Sequence, residues 1–175
     1  MSMPCISPGT RLRESALRLR PAVAEDAARL TEIALAAKAA LGYSPQLIEG
    51  WRAELTVDAA MLRSQSIWLA ECGDQAAGFL GLILMPAAAR LDHLWVAPHW
   101  QRRGIGGALL RHAFQLAAAA GATMLETDAE PLAEPFYLRQ GFVRTGIVAA
   151  PIPGDAGRGR PQMRCVLAAR KCSGG

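Results

Sequence analysis

The sequence predicts a mixed α/β domain, and three observations carry that prediction. The chain has 175 residues, of which 51% are apolar and 19% charged, enough to bury one sizeable core and too apolar for disorder. Short runs with strand character, at 16–20, 66–71, 77–85, 90–96 and 123–127, are interspersed with longer stretches of helical period at 24–41 and 104–120. The run at 90–96 also passes through a Gly-rich turn, Gln101 to Gly107, straight into the second of those helices.

Residues 1–15, rich in Pro, Ser, Gly and Arg, read as a flexible tail, 16–169 as a single domain and 170–175 as a second tail. Residues 16–20 alternate apolar and charged side chains, as a half-buried strand does, and Pro21 ends it. Ala27, Leu30, Ile33, Ala34 and Ala37 then recur at helical spacing, with Gly42 as the stop. Ser44 followed by Pro45 predicts an N-cap and first turn for a second helix through Leu47, Ile48 and Trp51, and a short third piece is expected over 56–63.

Strands at 66–71 and 77–85 flank Gly73-Asp74, a hairpin turn. Gly78 and Gly81 inside the return strand mark either a bulge or a close backbone approach. Residues 90–96 form the next strand; simple alternation puts Arg90, Asp92, Leu94 and Val96 on one face and Leu91, His93 and Trp95 on the other. The helix over 104–120 buries Leu109, Leu110, Ala113 and Leu116 and stops at Gly121. A strand at 123–127, a helix at 131–140 and strands at 142–149 and 162–168 complete the domain. The Pro/Gly/Arg loop at 151–161 has a length that is uncommon unless functional or mobile.

The net charge is +4. Its arginines cluster at Arg11, Arg13, Arg18 and Arg20, and again at Arg158, Arg160, Arg164 and Arg170, without interleaved aromatics, which argues against a nucleic-acid partner. An anionic cofactor fits the modest positive bias better. Cys5, Cys72, Cys165 and Cys172 form no C-x-x-C pair and have no His at ligand spacing, so neither a metal site nor a disulfide framework is expected. With no signal peptide and no apolar run of membrane-spanning length, the expected location is cytoplasmic, with no membrane partner.

A Gly-rich turn at a helix start exposes unpaired N–H groups where the peptide dipoles favour negative charge, so it suits a phosphate. A Walker loop requires a Gly-Lys pair, which this chain lacks, and a dinucleotide fingerprint requires a third Gly where Leu109 stands. What remains, Gln101, Gly104 and Gly106 after a strand ending Leu94-Trp95-Val96-Ala97-Pro98, resembles the acetyl-coenzyme A signature [Q/R]-x-x-G-x-[G/A] of the GCN5-related N-acetyltransferases (GNAT). Ala133-Glu134-Pro135-Phe136-Tyr137 through Gly141-Phe142 is similar to that family's second signature, A-x-x-F-Y-x-x-x-G-F. The family's Asn before this Ala is replaced by Leu132 and Glu130.

The resemblance implies a three-layer α-β-α acyl-CoA N-acyltransferase fold with a mostly antiparallel sheet of six to seven strands, in which strands 4 and 5 splay apart. It implies acetyl-CoA as the cofactor, with pantetheine paired along Leu94, Trp95 and Val96 like an added strand, and the pyrophosphate on the amides from Arg102 and Arg103 through Gly104, Ile105, Gly106 and Gly107. Gln101, Ala133 and Phe136 belong to the same expected cofactor site. Tyr137 is expected to protonate the departing thiolate, and Asp92 to hold the incoming ammonium and pass its proton to water. An aspartate of ordinary pKa, about 3.9, is a poor direct base near neutrality. His93 is the second candidate, ranked lower because alternation sends it to the other face. Tyr43, Trp51 and Glu126 are candidates for the acceptor pocket, although Trp51 packing on the sheet is an equal reading. The expected reaction is acetyl transfer to a primary amine of a small molecule or peptide; the alternative is a non-catalytic acyl-CoA sensor. A homodimer is a possible assembly.

Overall fold

The computed structural model describes residues 17–167; the expectations for the two tails, Cys5 and Cys172 included, lie outside the described residues. Seven strands form one sheet in the order β1-β2-β3-β4-β5-β7-β6. They are β1 (Leu17–Pro21), β2 (Ser66–Cys72), β3 (Gln75–Met85), β4 (Ala88–Val96), β5 (Met124–Asp128), β6 (Val143–Ala149) and β7 (Gly159–Val166). Every pairing is antiparallel except β4 with β5. The helices are α1 (Ala27–Ala39), α2 (Pro45–Gly50), α3 (Arg52–Leu55), α4 (Ala59–Ser64), α5 (Ile105–Ala119) and α6 (Glu134–Arg139). No helix among the described residues is long and apolar enough to cross a membrane.

Two apolar clusters define the three layers. Leu30, Ile33 and Ala34 of α1 pack with Leu55, Leu69 and Phe79 on one face of the sheet. Leu109, Leu110, Ala113 and Ala117 of α5 pack with Leu80, Leu82, Leu91, Tyr137 and Phe142 on the other. Ala117 takes the place expected for Leu116, which is only partly buried, and Ile105 joins the same core at the start of α5.

The local signals act as expected at the helix ends. Ser44 Oγ accepts from the Leu47 amide at 3.3 Å, with Pro45 in the first turn. Asp58 caps α4 through the Met61 amide at 2.8 Å, so the piece expected over 56–63 starts at Ala59, and α3 lies ahead of it as an addition to the expected helices. At the other end of the chain β7 begins at Gly159, so Arg160 and Pro161 belong to a strand, and the expected 151–161 loop is three residues shorter on that side. Pro161 fits there because its carbonyl still accepts from the Ala129 amide at 2.8 Å.

Two departures from regular pairing place the site. The β4–β5 ladder holds only Ala88, Ala89 and Arg90 against Met124, Leu125 and Glu126. Beyond it the strands part, and the rest of β4 has no strand partner on that side. The second departure is a bulge between β3 and β4: Gly81 faces His93 while Leu82 faces Leu91, so Asp92 is an extra residue. Alternation therefore inverts at Asp92. Leu91, Leu94 and Val96 all pack toward α5, while Trp95 joins the α1 side and His93 stacks near Phe79 there, at 5.9 Å between ring centroids. The expected grouping of Asp92 with Leu94 and Val96 is corrected by this bulge.

The glycines of β3 reflect the same crowding. A Cβ on Gly78 would lie 2.6 Å from the Trp95 carbonyl oxygen, and one on Gly81 3.1 Å from the His93 ring.

Candidate active site

A cavity of about 1280 Å³ opens where β4 and β5 separate. It is lined from α1 and α3 on one side and from the start of α5 and from α6 on the other. Of the residues singled out in the sequence, Asp92, Leu94, Trp95, Val96, Gln101, Arg102, Gly104, Gly106, Gly107, Ala133, Phe136, Tyr137 and Trp51 line it. Arg103, Ile105, Tyr43 and Glu126 do not. The Arg103 guanidinium stacks on the Trp100 ring at 5.1 Å, and the Ile105 side chain is buried in the core. Glu126 points to Arg164 on β7, at 2.7 Å, because the β5–β7 ladder sets the two residues opposite each other.

The chain enters α5 through two residues in the left-handed region, Arg102 at φ 61 and Gly104 at φ 86. Gln101 fastens this turn by donating from Nε2 to the Val96 carbonyl at 3.2 Å. The first bond of α5 runs from the Ala108 amide to the Gly104 carbonyl at 3.0 Å. The amides of Ile105, Gly106 and Gly107 thus precede any intrahelical acceptor and face out of the helix end. Open β4 backbone leading to this helix start suits an extended ligand with an anionic end.

At the base of the gap, Asp92 is held on three sides. Gln65 Nε2 donates to Oδ2 at 2.8 Å, His93 Nε2 lies 3.4 Å from the same oxygen, and Arg90 Nε is 3.8 Å from Oδ1. Arg90 makes its closer contact, 2.7 Å, to Asp128. His93 is buried, and its Nδ1 accepts from the Trp95 indole at 3.2 Å. Burial pushes its pKa below the usual imidazole value, with Asp92 opposing and Arg160 reinforcing the shift. A neutral ring accepting at Nδ1 carries its one proton on Nε2. His93 thereby orients Asp92 and is no free base. Its ranking below Asp92 rested on opposite faces, whereas the bulge brings the two side chains into contact.

Tyr137, on α6, is buried between Phe136 and Phe142, with ring centroids 5.2 Å from each. Burial drives its phenol pKa well above the usual tyrosine range; the Thr127 hydroxyl and the Arg160 charge oppose this without reversing it. The hydroxyl therefore stays protonated across the physiological range.

A polar cluster not foreseen from the sequence closes the α1 end. Glu130 accepts from Lys38 and from the Tyr43 hydroxyl, and from Arg158 Nη2 at 3.1 Å. Tyr43 and Trp51 meet edge to face at 5.0 Å. Lys38 lies 4.3 Å over the Trp51 ring, and Arg158 5.4 Å from the Tyr43 ring. Tyr43 thus acts on the cavity through Glu130, while Trp51 forms its wall. Burial lowers the Lys38 pKa against the pull of Glu130, while its cations hold the Glu130 pKa below the carboxylate norm despite burial. One sequence signal was present: Lys38 falls four residues after Ala34 on the buried stripe of α1.

Residues 63–144 match the family model described as an acetyltransferase (GNAT) domain. The chain is 33% identical over 102 residues to an uncharacterized N-acetyltransferase, YafP, of Escherichia coli, covering 57% of this chain and 61% of that one. It spans about half to three-fifths of the length of the curated relatives it matches. Among solved structures, a GCN5-related N-acetyltransferase from Rhodopseudomonas palustris superposes with a TM-score of 0.74 at 28% identity, covering 90% of this chain and 100% of that one. The PaiA N-acetyltransferase of Thermoplasma acidophilum, in complex with coenzyme A, has the same fold, with a TM-score of 0.70, 21% identity and coverage of 86% and 98%.

Proposed function

We propose, from the premise that this chain belongs to the GCN5-related N-acetyltransferase (GNAT) family, that it transfers the acetyl group of acetyl-CoA directly to a primary amine of a small molecule or peptide. The observation that carries this reading is the parting of β4 from β5 at Arg90, which opens the β4 backbone and runs it into the exposed amides that begin α5. The residues fit the donor. Leu94 to Val96 line the gap along the side of β4 that has no strand partner, open to the pantetheine amides apart from the Val96 carbonyl that Gln101 holds, and Gly104 to Gly107 present N–H groups to the pyrophosphate. A Cβ at Gly106 would meet Phe136 and Val96 at an ordinary 3.6 and 3.7 Å, so the need for a small residue there is mild. At Gly104 a φ of 86 favours glycine.

Bound acetyl-CoA supplies a thioester whose carbonyl is open to attack. Asp92, fixed by Gln65 and His93, holds the incoming ammonium, and its proton leaves through water. Tyr137, kept protonated by burial, delivers a proton to the departing sulfur. Neither Cys72 nor Cys165, the cysteines among the described residues, lines the cavity, which favours direct transfer over an acyl-enzyme on sulfur. Residues 16–169 as one catalytic domain, a cytoplasmic location and a homodimer are parts of the same proposal; sedimentation of the full chain reads the last.

The test is incubation with acetyl-CoA and an amine panel while free thiol is followed. Thiol release that depends on the amine supports transfer. Tight acetyl-CoA binding with no turnover on any amine overturns it in favour of a sensor. Wild-type rates in both Asp92→Ala and Tyr137→Phe overturn the two assigned roles and leave the fold untouched.

A further inference from the structure

The wall formed by α1, the end of β5 and the start of β7 carries more positive charge than it neutralises. Lys38, Arg158 and Arg160 all line the cavity there. Lys38 and Arg158 share one carboxylate, Glu130. Arg160 has none: among the described residues no Asp or Glu oxygen lies within 4 Å of it, and its Nη2 donates only to the backbone carbonyl of Asp128, at 2.6 Å. The residue is half-buried, so bulk water does not fully replace the missing anion.

Arg158 adds a second, separate deficit. Its side chain is only 7% exposed. Nη1 donates to the Ala150 carbonyl at 3.0 Å and Nη2 to Tyr43 and Glu130, but Nε is buried with no partner. Burying such a donor unpaired is costly. Arg160 also sits close to the expected chemistry. Behind burial, which dominates each case, its charge helps lower the pKa of His93 and of Lys38 and opposes the rise at Tyr137.

The donor does not supply the missing anion. Its diphosphate belongs on the α5 side of the cavity, where Arg102 and Arg111 line the wall beside Gly104, Gly106 and Gly107. We infer that the acceptor amine itself carries a carboxylate, as an α-amino acid or a closely related amino-carboxylate does, and that Arg160, backed by Arg158 and Lys38, binds it while Asp92 faces the ammonium. A planar carboxylate matches the fork of a guanidinium that has free donors. One anion is also what a wall with one cation lacking any carboxylate calls for.

This assignment rests on the acetyl-transfer reading and deepens it. The experiment pairs each of several α-amino acids with its own carboxamide as acceptors for the wild-type protein, Arg160→Gln and Arg160→Lys. The amide holds the more readily deprotonated amine of each pair, so a preference for the acid does not arise from basicity. Wild type is expected to favour the acid by about tenfold or more in kcat/KM, mostly through KM, and Arg160→Gln to reduce that ratio to less than about threefold. Arg160→Lys should keep part of the preference, and the KM for acetyl-CoA should hold in all three proteins. Loss of acetyl-CoA binding by Arg160→Gln would mark a folding defect, and the wild-type and Arg160→Lys ratios then decide. Equal rates on acid and amide in wild type, or an unchanged ratio in Arg160→Gln, overturn the inference. If no amine is acetylated, the transfer reading fails first, and thermal shifts with N-acetyl amino acids against their carboxamides decide the subsite. A shift by the acids in wild type that is absent in Arg160→Gln sustains it; none in either sinks it.

Discussion

The Trp95 indole donates to Nδ1 of His93 across 3.2 Å, and so decides which side of the His93 ring faces Asp92. The bond also stabilises the neutral ring, which burial already favours. The sign follows: the folded pKa lies below the unfolded value of about 6.5, so acid favours the unfolded state. Stability should rise with pH from the folded pKa up to that unfolded value. An NMR titration of His93 should give a midpoint below 6.5, and Trp95→Phe, which removes the donor, should move it upward. A midpoint unmoved by Trp95→Phe would show that the indole does not set the ring's proton.

Tyr137→Phe keeps the packing against Phe136 and Phe142 and removes only the hydroxyl. The expected loss in kcat is about 10²-fold, within the range for a lost general acid, with the acetyl-CoA dissociation constant nearly unchanged. Because burial keeps the phenol protonated, the wild-type rate should show no alkaline decline from Tyr137 below about pH 10. Rate measurements across pH 6 to 10, with calorimetric binding of acetyl-CoA, check both statements.

The Glu130 cluster should respond unequally to its two sides. Glu130→Gln strands Lys38 and Arg158 together and should cost about 3 to 5 kcal/mol in urea unfolding, the penalty for an uncompensated buried charge. Lys38→Met leaves Glu130 paired with Arg158 and bonded to Tyr43, so no buried charge is stranded, and it should cost less than about 1 kcal/mol. Equal costs would mean the carboxylate is not the hub.

Two glycines only two residues apart in the chain, Gly104 and Gly106, should also separate. Gly104→Ala forces an L residue to φ 86 and should cost roughly 1 to 2 kcal/mol in thermal unfolding. Gly106→Ala lies inside α5 with its Cβ at ordinary contact distances and should be neutral or stabilising by up to about 1 kcal/mol.

What could be read from the sequence was whatever local chemistry controls. The Ser44-Pro45 cap, the Gly73-Asp74 hairpin and the Gly104 entry into α5 each depend on a few adjacent residues, and each stands where the letters put it. Side-chain direction along β4 was not readable, because a bulge arises from the fit between two strands and leaves no period of its own. Nor was the Glu130 cluster, whose members are separated by 92 residues for Lys38 and 28 for Arg158 and meet only once the sheet is built. Glu126 was misplaced for a similar reason: its partner Arg164 comes from a strand whose register the sequence does not display.

Asp92 is the one residue of β4 that stands outside its register with β3, so the strand spends a residue on the site and not on the sheet. Deleting Asp92 itself would leave a regular ladder with β3 in which Leu94 and Val96 still pack toward α5 and Trp95 toward α1, and would remove only the carboxylate at the base of the gap. A single-codon loss at this point would thus keep both faces of the strand and cost the site its carboxylate.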